Sequence, residues 1–251
     1  MIYVVTCVRN EEYHLPKFLD HIRDYVDGFV VLDDGSTDKT VELFEKEPKL
    51  KKIIKSPVRD GIEYDERGNR QKVVRAAWEI SEDKNNTWVL CLDPDERFEL
   101  AFLKNIRKMC TPDKKVAYGF HFRELHNDIK HYRCDGIWDK KTKYILFPLS
   151  EEMDFDSVMP NQYHTVWGYK EILEKSVMTN YNLYHLKMIK KTERAKRVNL
   201  YNTIDPEKKI QAFGYDYLND DEGMKLKKIS FFKRYDYTLL PEDLKKVKDG
   251  K

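Results

Sequence analysis

The sequence predicts an α/β fold: a mostly parallel central sheet flanked by helices, with a smaller antiparallel addition and C-terminal helices. Three observations predict it. Continuous apolar, β-branched runs at 2–8 (IYVVTCV), 29–32 and 87–92 (TWVLCL) have the character of strands buried on both faces. Segments with apolar residues at helical spacing separate these runs. Polar clusters stand at the carboxyl ends of three runs: Arg9-Asn10-Glu11, Asp33-Asp34-Gly35-Ser36 and Asp93-Pro94-Asp95-Glu96. Open parallel sheets bind their ligands beyond that edge.

The elements follow in order. Residues 11–26 carry Leu15, Phe18, Leu19, Ile22, Tyr25 and Val26 at helical spacing, and Gly28 ends the helix. After the strand 29–32, Asp34-Gly35-Ser36-Thr37-Asp38 is turn chemistry, and Asp38 suits the N-cap of a helix through Val41, Leu43 and Phe44. Pro48 stops that helix, and 52–55 reads as a short strand. Residues 56–68 are polar, hold Pro57, Gly61 and Gly68, and read as a loop. A helix over 70–80 points Val73, Val74, Ala77 and Trp78 inward, and the strand 87–92 follows. Strand–helix alternation at this spacing gives a parallel sheet covered on both faces. From Val116 the pattern changes: 116–123 alternates and 144–147 is a short apolar run, which predicts antiparallel strands and long loops. Residues 181–186 read as a last strand. Helices are expected at 190–204 and 206–219, split by Asp205-Pro206.

The chain has 251 residues, with 46 Lys+Arg against 44 Asp+Glu and a formal charge of +2. A chain of this mass buries about 73% of its unfolded surface, enough for a core without staples. Charged residues reach 36%, but aromatics are 13% and the charges cancel, so the composition is that of a folded protein with a charged surface. The balance argues against a nucleic-acid partner. Cysteines 7, 91, 110 and 134 form no C-x-x-C pair and no zinc spacing, as for reduced cytoplasmic thiols. The N-terminus is charged too early for a signal peptide, and no run reaches the ~18 apolar residues of a membrane span.

Two carboxylates at i and i+2 in LDPDE, with Pro94 stiffening the turn, can present oxygens to one hard cation such as Mg²⁺ or Mn²⁺. The same residues can serve as an acidic cap for a helix starting near Glu99. The acids of VVLDDGSTD can accept hydrogen bonds from a base or ribose, or merely cap a turn. No G-x-G-x-x-G follows the first strand and no G-x-x-x-x-G-K-[ST] occurs, which removes dinucleotide and P-loop sites. A phosphatase-type Asp-x-Asp is disfavoured, because the pair follows a late strand and is succeeded by Glu-Arg.

VVTCVRNEE, VVLDDGSTD and LDPDE, in this order and spacing, resemble the family 2 glycosyltransferases of the GT-A fold, in particular the small type whose first strand ends in Asn-Glu-Glu. The resemblance covers residues 1–110 well and the stretch to about 220 loosely. It implies a Rossmann-like sheet, a nucleotide-diphosphate sugar donor (UDP-sugar being the family's commonest), a Mn²⁺ or Mg²⁺ ion at the Asp-x-Asp, and inversion at the anomeric carbon. By position, it implies that Asp34 and Asp33 form the nucleoside pocket, Val8 and Arg9 line base or ribose, and Arg70 lies near the diphosphate. It also implies that Asp93 touches ribose or metal, that Asp95 is the principal metal ligand, and that His185 is a third one. The acceptor hydroxyl needs a general base on the face opposite the leaving group. The resemblance implies a His-Glu pair after the mid-chain strands, where this chain has His164-Thr165, so Glu96, Glu151, Glu152, Asp154, Asp156 and His164 are all candidates, Glu96 and His164 foremost. That missing acid also leaves room for a nucleotide-sugar binding or scaffolding protein without turnover.

The expected organisation is one catalytic unit over 1–222, with 1–110 binding the donor and 111–222 the acceptor, and a basic aromatic extension over 223–251. That extension has nine Lys/Arg against four Asp/Glu and holds Phe231, Phe232, Tyr235 and Tyr237. It suits either packing on the body or contact with anionic lipid, which would bring the enzyme to a lipid-linked acceptor. A glycan or a protein are the other acceptor classes. The expected location is the cytoplasm, peripheral to a membrane in the second case.

Overall fold

The computed structural model describes residues 1–58, 65–155, 167–209 and 211–247. The apolar runs form strands where the sequence places them: β1 (Ile2–Val8), β2 (Gly28–Asp33), β3 (Leu50–Lys55) and β4 (Trp88–Cys91). Every residue of β2 and β4 is buried, as two-sided coverage requires. Between them lie α1 (Leu15–Ile22), α2 (Thr40–Glu45) and α3 (Glu66–Ile80). Asp38 supports the start of α2, accepting from the Thr40 amide at 2.9 Å and the Glu12 amide at 3.0 Å. Asp65 caps α3 by accepting from the Gly68 amide at 2.8 Å.

The later half comprises β5 (Glu96–Phe98), α4 (Leu100–Met109), β6 (Tyr118–Glu124), β7 (His131–Arg133), β8 (Thr142–Pro148), α5 (Lys170–Leu173), β9 (Val177–His185), α6 (Lys191–Ile204), β10 (Leu226–Lys228) and α7 (Glu242–Lys245). Eight strands form one sheet in the order β3-β2-β1-β4-β8-β6-β9-β5. The pairs β3–β2, β2–β1, β1–β4 and β6–β9 are parallel; β4–β8, β8–β6 and β9–β5 are antiparallel. The β1–β2 register sets Val8 opposite Asp33, and Val5 lies opposite Cys91 in β4. The three polar clusters therefore leave the sheet at one edge.

Three segments differ from the sequence expectation. Residues 206–219 do not form a helix; among the described residues there, only Asp216–Leu218 makes a 3-10 turn, and Gly214 has φ +75°. The aromatic spacing there serves a small cluster instead, in which Tyr215 and Leu218 pack with Trp138 and Met188. Glu96–Phe98 is a strand rather than the approach to a helix cap, and it sets Glu96 opposite His185. The strand expected at 181–186 begins at Val177.

The basic C-terminal stretch is woven into the body. Strand β10 pairs antiparallel with β7. Tyr235, Leu240, Leu244 and Val247 close a second core with Leu125, Tyr132, Tyr184, Leu186 and Ile189. Among the described residues, no helix is long and apolar enough to cross a membrane.

Candidate active site

At the ends of β1 and β2, backbone amides hold the two turns together. The Asp34 amide donates to the Val8 carbonyl at 2.8 Å. The Asn10 amide donates to Ser36 Oγ at 2.9 Å, and Asn10 Oδ1 accepts from the Thr37 amide at 2.8 Å. Asn10 adopts φ 55°, a left-handed conformation that asparagine tolerates. Gly35 has φ +76°, and a Cβ there would stand 2.6 Å from the Pro57 carbonyl oxygen, so the turn needs glycine.

Both β2 acids are buried. Asp33 Oδ2 accepts from the Ser36 amide at 3.1 Å, while its Oδ1 is buried without a partner among the described residues. Asp34 Oδ1 accepts from Asn69 Nδ2 of α3 at 3.1 Å. The next residue, Arg70, pairs with Glu66, and its guanidinium lies 4.6 Å over the Trp167 ring. Burial pushes the Cys7 thiol of β1 up. Asp34 thus links the end of β1, through the Val8 carbonyl, to Asn69 of α3.

At the end of β4 the acids are held by cations. Lys143 of β8 pairs with Glu96 and lies 3.5 Å from Asp93 Oδ2. Its ammonium also lies 4.4 Å from the Phe122 ring centre, a cation–π contact beside the two carboxylates. Glu96 is 1% exposed, and its second oxygen accepts from the Asp93 amide at 3.1 Å. Burial pushes its carboxyl up to about 7 against the opposing pull of Lys143. Asp95 Oδ2 lies 3.0 Å from His185 Nε2 and 3.3 Å from Lys187 Nζ. Lys187 also meets Glu11 at 2.8 Å. His185 Nδ1 reaches Glu124 Oε2 at 2.5 Å, and Lys141 lies 3.0 Å from Glu124 Oε1. Burial opposes the imidazolium, but Glu124 and Asp95 on its two nitrogens outweigh that and raise His185 to about 9. Behind the turn, buried Arg97 donates to the carbonyls of Pro94 and Glu96 at 2.8 Å and of Leu239 at 3.1 Å. That fixes the Asp-Pro-Asp-Glu backbone.

The family model for glycosyl transferase family 2 matches residues 3–177, more than half of the chain. The chain belongs to glycosyl transferase family 2. It is a glycosyltransferase, and its α/β sheet is the GT-A arrangement of that family. Of the two readings of the sequence, membership supports the enzyme rather than a scaffold.

Solved structures are similar at low identity. The crystal structure of S. aureus TarS 1–349 has 15% identity and a TM-score of 0.46, over 87% of this chain and 69% of that one. Glucosyl-3-phosphoglycerate synthase from Mycobacterium tuberculosis, in complex with phosphoglyceric acid, has 20% identity and a TM-score of 0.34, over 49% and 44%. A glycosyltransferase involved in glycosylation of the major capsid of PBCV-1 has 11% identity and a TM-score of 0.38, over 78% and 97%. The chain spans 39% of the longer TarS structure. No curated protein matches the sequence.

In this family 2 member, Val8 stands opposite Asp33 at the end of the β1–β2 pair, Arg9 follows directly on β1, Asp34 meets Asn69 of α3, Arg70 pairs with Glu66, and Asp93 lies 3.5 Å from Lys143. Asp156 and His164 lie outside the described residues. Two expectations meet contrary chemistry. Glu96 has both carboxylate oxygens engaged and no access to solvent, so it positions the turn rather than taking a proton from an acceptor. The expected metal set Asp93, Asp95 and His185 does not fit a divalent ion. A carboxylate only accepts, so both His185 nitrogens must carry hydrogen and neither offers a lone pair. Asp95 is already shared between His185 and Lys187. Among the described residues, no group of three His, Cys, Asp or Glu side chains is arranged to hold a metal ion. Lys143 and Lys187 escaped the sequence reading. The one signal was a lysine at the start of the strand TKYILFP and another two residues after His185.

Proposed function

We propose that the protein moves a sugar from a nucleoside-diphosphate donor, a UDP-sugar foremost, to a hydroxyl acceptor with inversion at the anomeric carbon. The observation that supports this is the pairing of Lys143 with Asp93 and Glu96 at the end of β4, on the sheet edge where Asp34 at the end of β2 meets Asn69 of α3. Acids at the end of β2 suit the hydroxyls and N–H groups of a nucleoside, which donate hydrogen bonds. The unpartnered Asp33 oxygen is an acceptor of that kind. Cations at the next strand end suit phosphate oxygens. Sugar transfer passes through an oxocarbenium-like state while the nucleoside diphosphate leaves as an anion. Fixed positive groups stabilise that developing charge without reorganising. One displacement by a hydroxyl from the opposite face inverts the anomeric carbon, and the base for that hydroxyl is not Glu96.

An exposed Phe231–Phe232 pair, at 67% and 84%, stands beside Lys233 and Arg234. That composition supports peripheral contact with anionic lipid and hence a lipid-linked acceptor. Incubation with UDP-, GDP- and dTDP-sugars tests the main reading by released nucleoside diphosphate. Release from a UDP-sugar, lost in Asp34→Ala, is the expected result. No release from any donor, with or without added acceptors, removes it.

A further inference from the structure

Five carboxylates gather behind the donor edge: Glu11, Asp93, Asp95, Glu96 and Glu124. Each has a cation. Lys187 takes Glu11 and Asp95, Lys143 takes Asp93 and Glu96, and His185 bridges Asp95 and Glu124 with Lys141 on the far oxygen. Four side chains, Lys141, Lys143, His185 and Lys187, thus pair with these five acids before any ligand arrives. A divalent ion would have to expel an ammonium from buried acids. Magnesium and manganese also need several oxygen ligands in near-octahedral array. Of the Asp-Pro-Asp-Glu acids only Asp93 is appreciably open, at 30% side-chain exposure.

We propose that Lys143, seated between Asp93 and Glu96, supplies the counter-charge for the donor diphosphate, so that nucleotide binding needs no divalent metal. Lys143 is well made for this. Its strand β8 runs antiparallel to β4, and its ammonium lies over the Phe122 ring. Asp93 and Glu96 hold the ammonium in place before the nucleotide arrives, so little ordering is left for binding to cost. Of its two acids, Asp93 is 30% exposed at the side chain and Glu96 1%, so a ligand has access on the Asp93 side.

The inference rests on reading this edge as the donor site, and one calorimetric series separates the two. UDP, GDP and dTDP are titrated into the wild-type chain after EDTA treatment, and again in Mn²⁺ or Mg²⁺. The metals are also titrated alone. The expected result is nucleotide affinity equal with and without metal to within about threefold, and no saturable metal binding without nucleotide. Lys143→Met is expected to weaken nucleotide binding about tenfold in both conditions, the loss of one charge-assisted contact. Lys143→Met with Glu96→Gln removes the stranded buried acid and keeps the test open if the single variant does not fold. A gain of about tenfold or more on adding metal overturns the inference while leaving the donor site standing. So does undiminished binding by the folded double variant. Failure of every nucleotide to bind in both conditions overturns the donor-site reading and this inference together.

Discussion

The ends of β2 and β4 both present acids at the same sheet edge, yet their contacts differ in kind. At β2, the Ser36 amide donates to Asp33 and the Asn69 amide group donates to Asp34, and one Asp33 oxygen has no partner among the described residues. At β4, Asp93, Asp95 and Glu96 are fixed by Lys143, Lys187 and His185. Neutral donors leave a carboxylate its charge and its remaining lone pairs, which suits a ligand rich in hydroxyl and N–H groups. Cations neutralise it, which suits an approaching polyanion. On the proposed function, that difference assigns the nucleoside to the β2 end and the diphosphate to the β4 end.

The largest expected effect breaks the β4 side. Lys143→Met leaves Glu96 buried without its cation, and stability should fall by about 3 kcal/mol in chemical denaturation. Adding Glu96→Gln should recover most of it. On the β2 side, Asp34→Asn keeps an acceptor for Asn69, so stability should change by less than about 1 kcal/mol. Nucleotide affinity should nevertheless drop about tenfold, because a charge-assisted contact is lost. Equal stability losses at the two sites would erase the contrast.

A pH series sharpens it. His185 is raised to about 9 in the fold, against about 6.5 in the unfolded chain. Its imidazolium therefore contributes fully below pH ~6.5, and that contribution is lost as pH rises through the folded value. The thermal midpoint should fall between pH 7 and about 9.5, and His185→Gln should flatten the fall. An unchanged slope in the variant would remove His185 as the link between Asp95 and Glu124. A smaller effect follows from Asn69→Ala, which should cost about 1 kcal/mol and weaken nucleotide binding less than Asp34→Asn does. Smallest in stability is Phe232→Ser, within about 0.5 kcal/mol. It should still reduce sedimentation with vesicles containing anionic lipid, and retained sedimentation would dismiss the lipid surface.

Strand positions β1, β2 and β4 were legible because two-sided burial writes itself as unbroken apolar runs. The acids at their ends were legible because the sheet edge is where such chemistry collects. Three-residue β5 was not, since Glu-Arg-Phe carries no period and is a strand only through pairing with β9. The aromatic spacing of 206–219 imitates a helix, but Tyr215 and Leu218 meet Trp138 through a turn. Lys143 and Lys187 are long-range partners, 47 residues from Glu96 in the one case and 176 from Glu11 in the other. Local spacing cannot reveal such pairs. That is why the acids alone resembled a metal site.

A crystal structure of the chain with UDP, grown once in EDTA and once in Mn²⁺, tests the central claim most directly. The account predicts the nucleoside against Asp33 and Asp34 and the diphosphate against Arg70 and Lys143, in the same pose in both crystals. A nucleotide seated elsewhere, or one bound only with a metal ion ligated by Asp93 and Asp95 and Lys143 displaced, would contradict it.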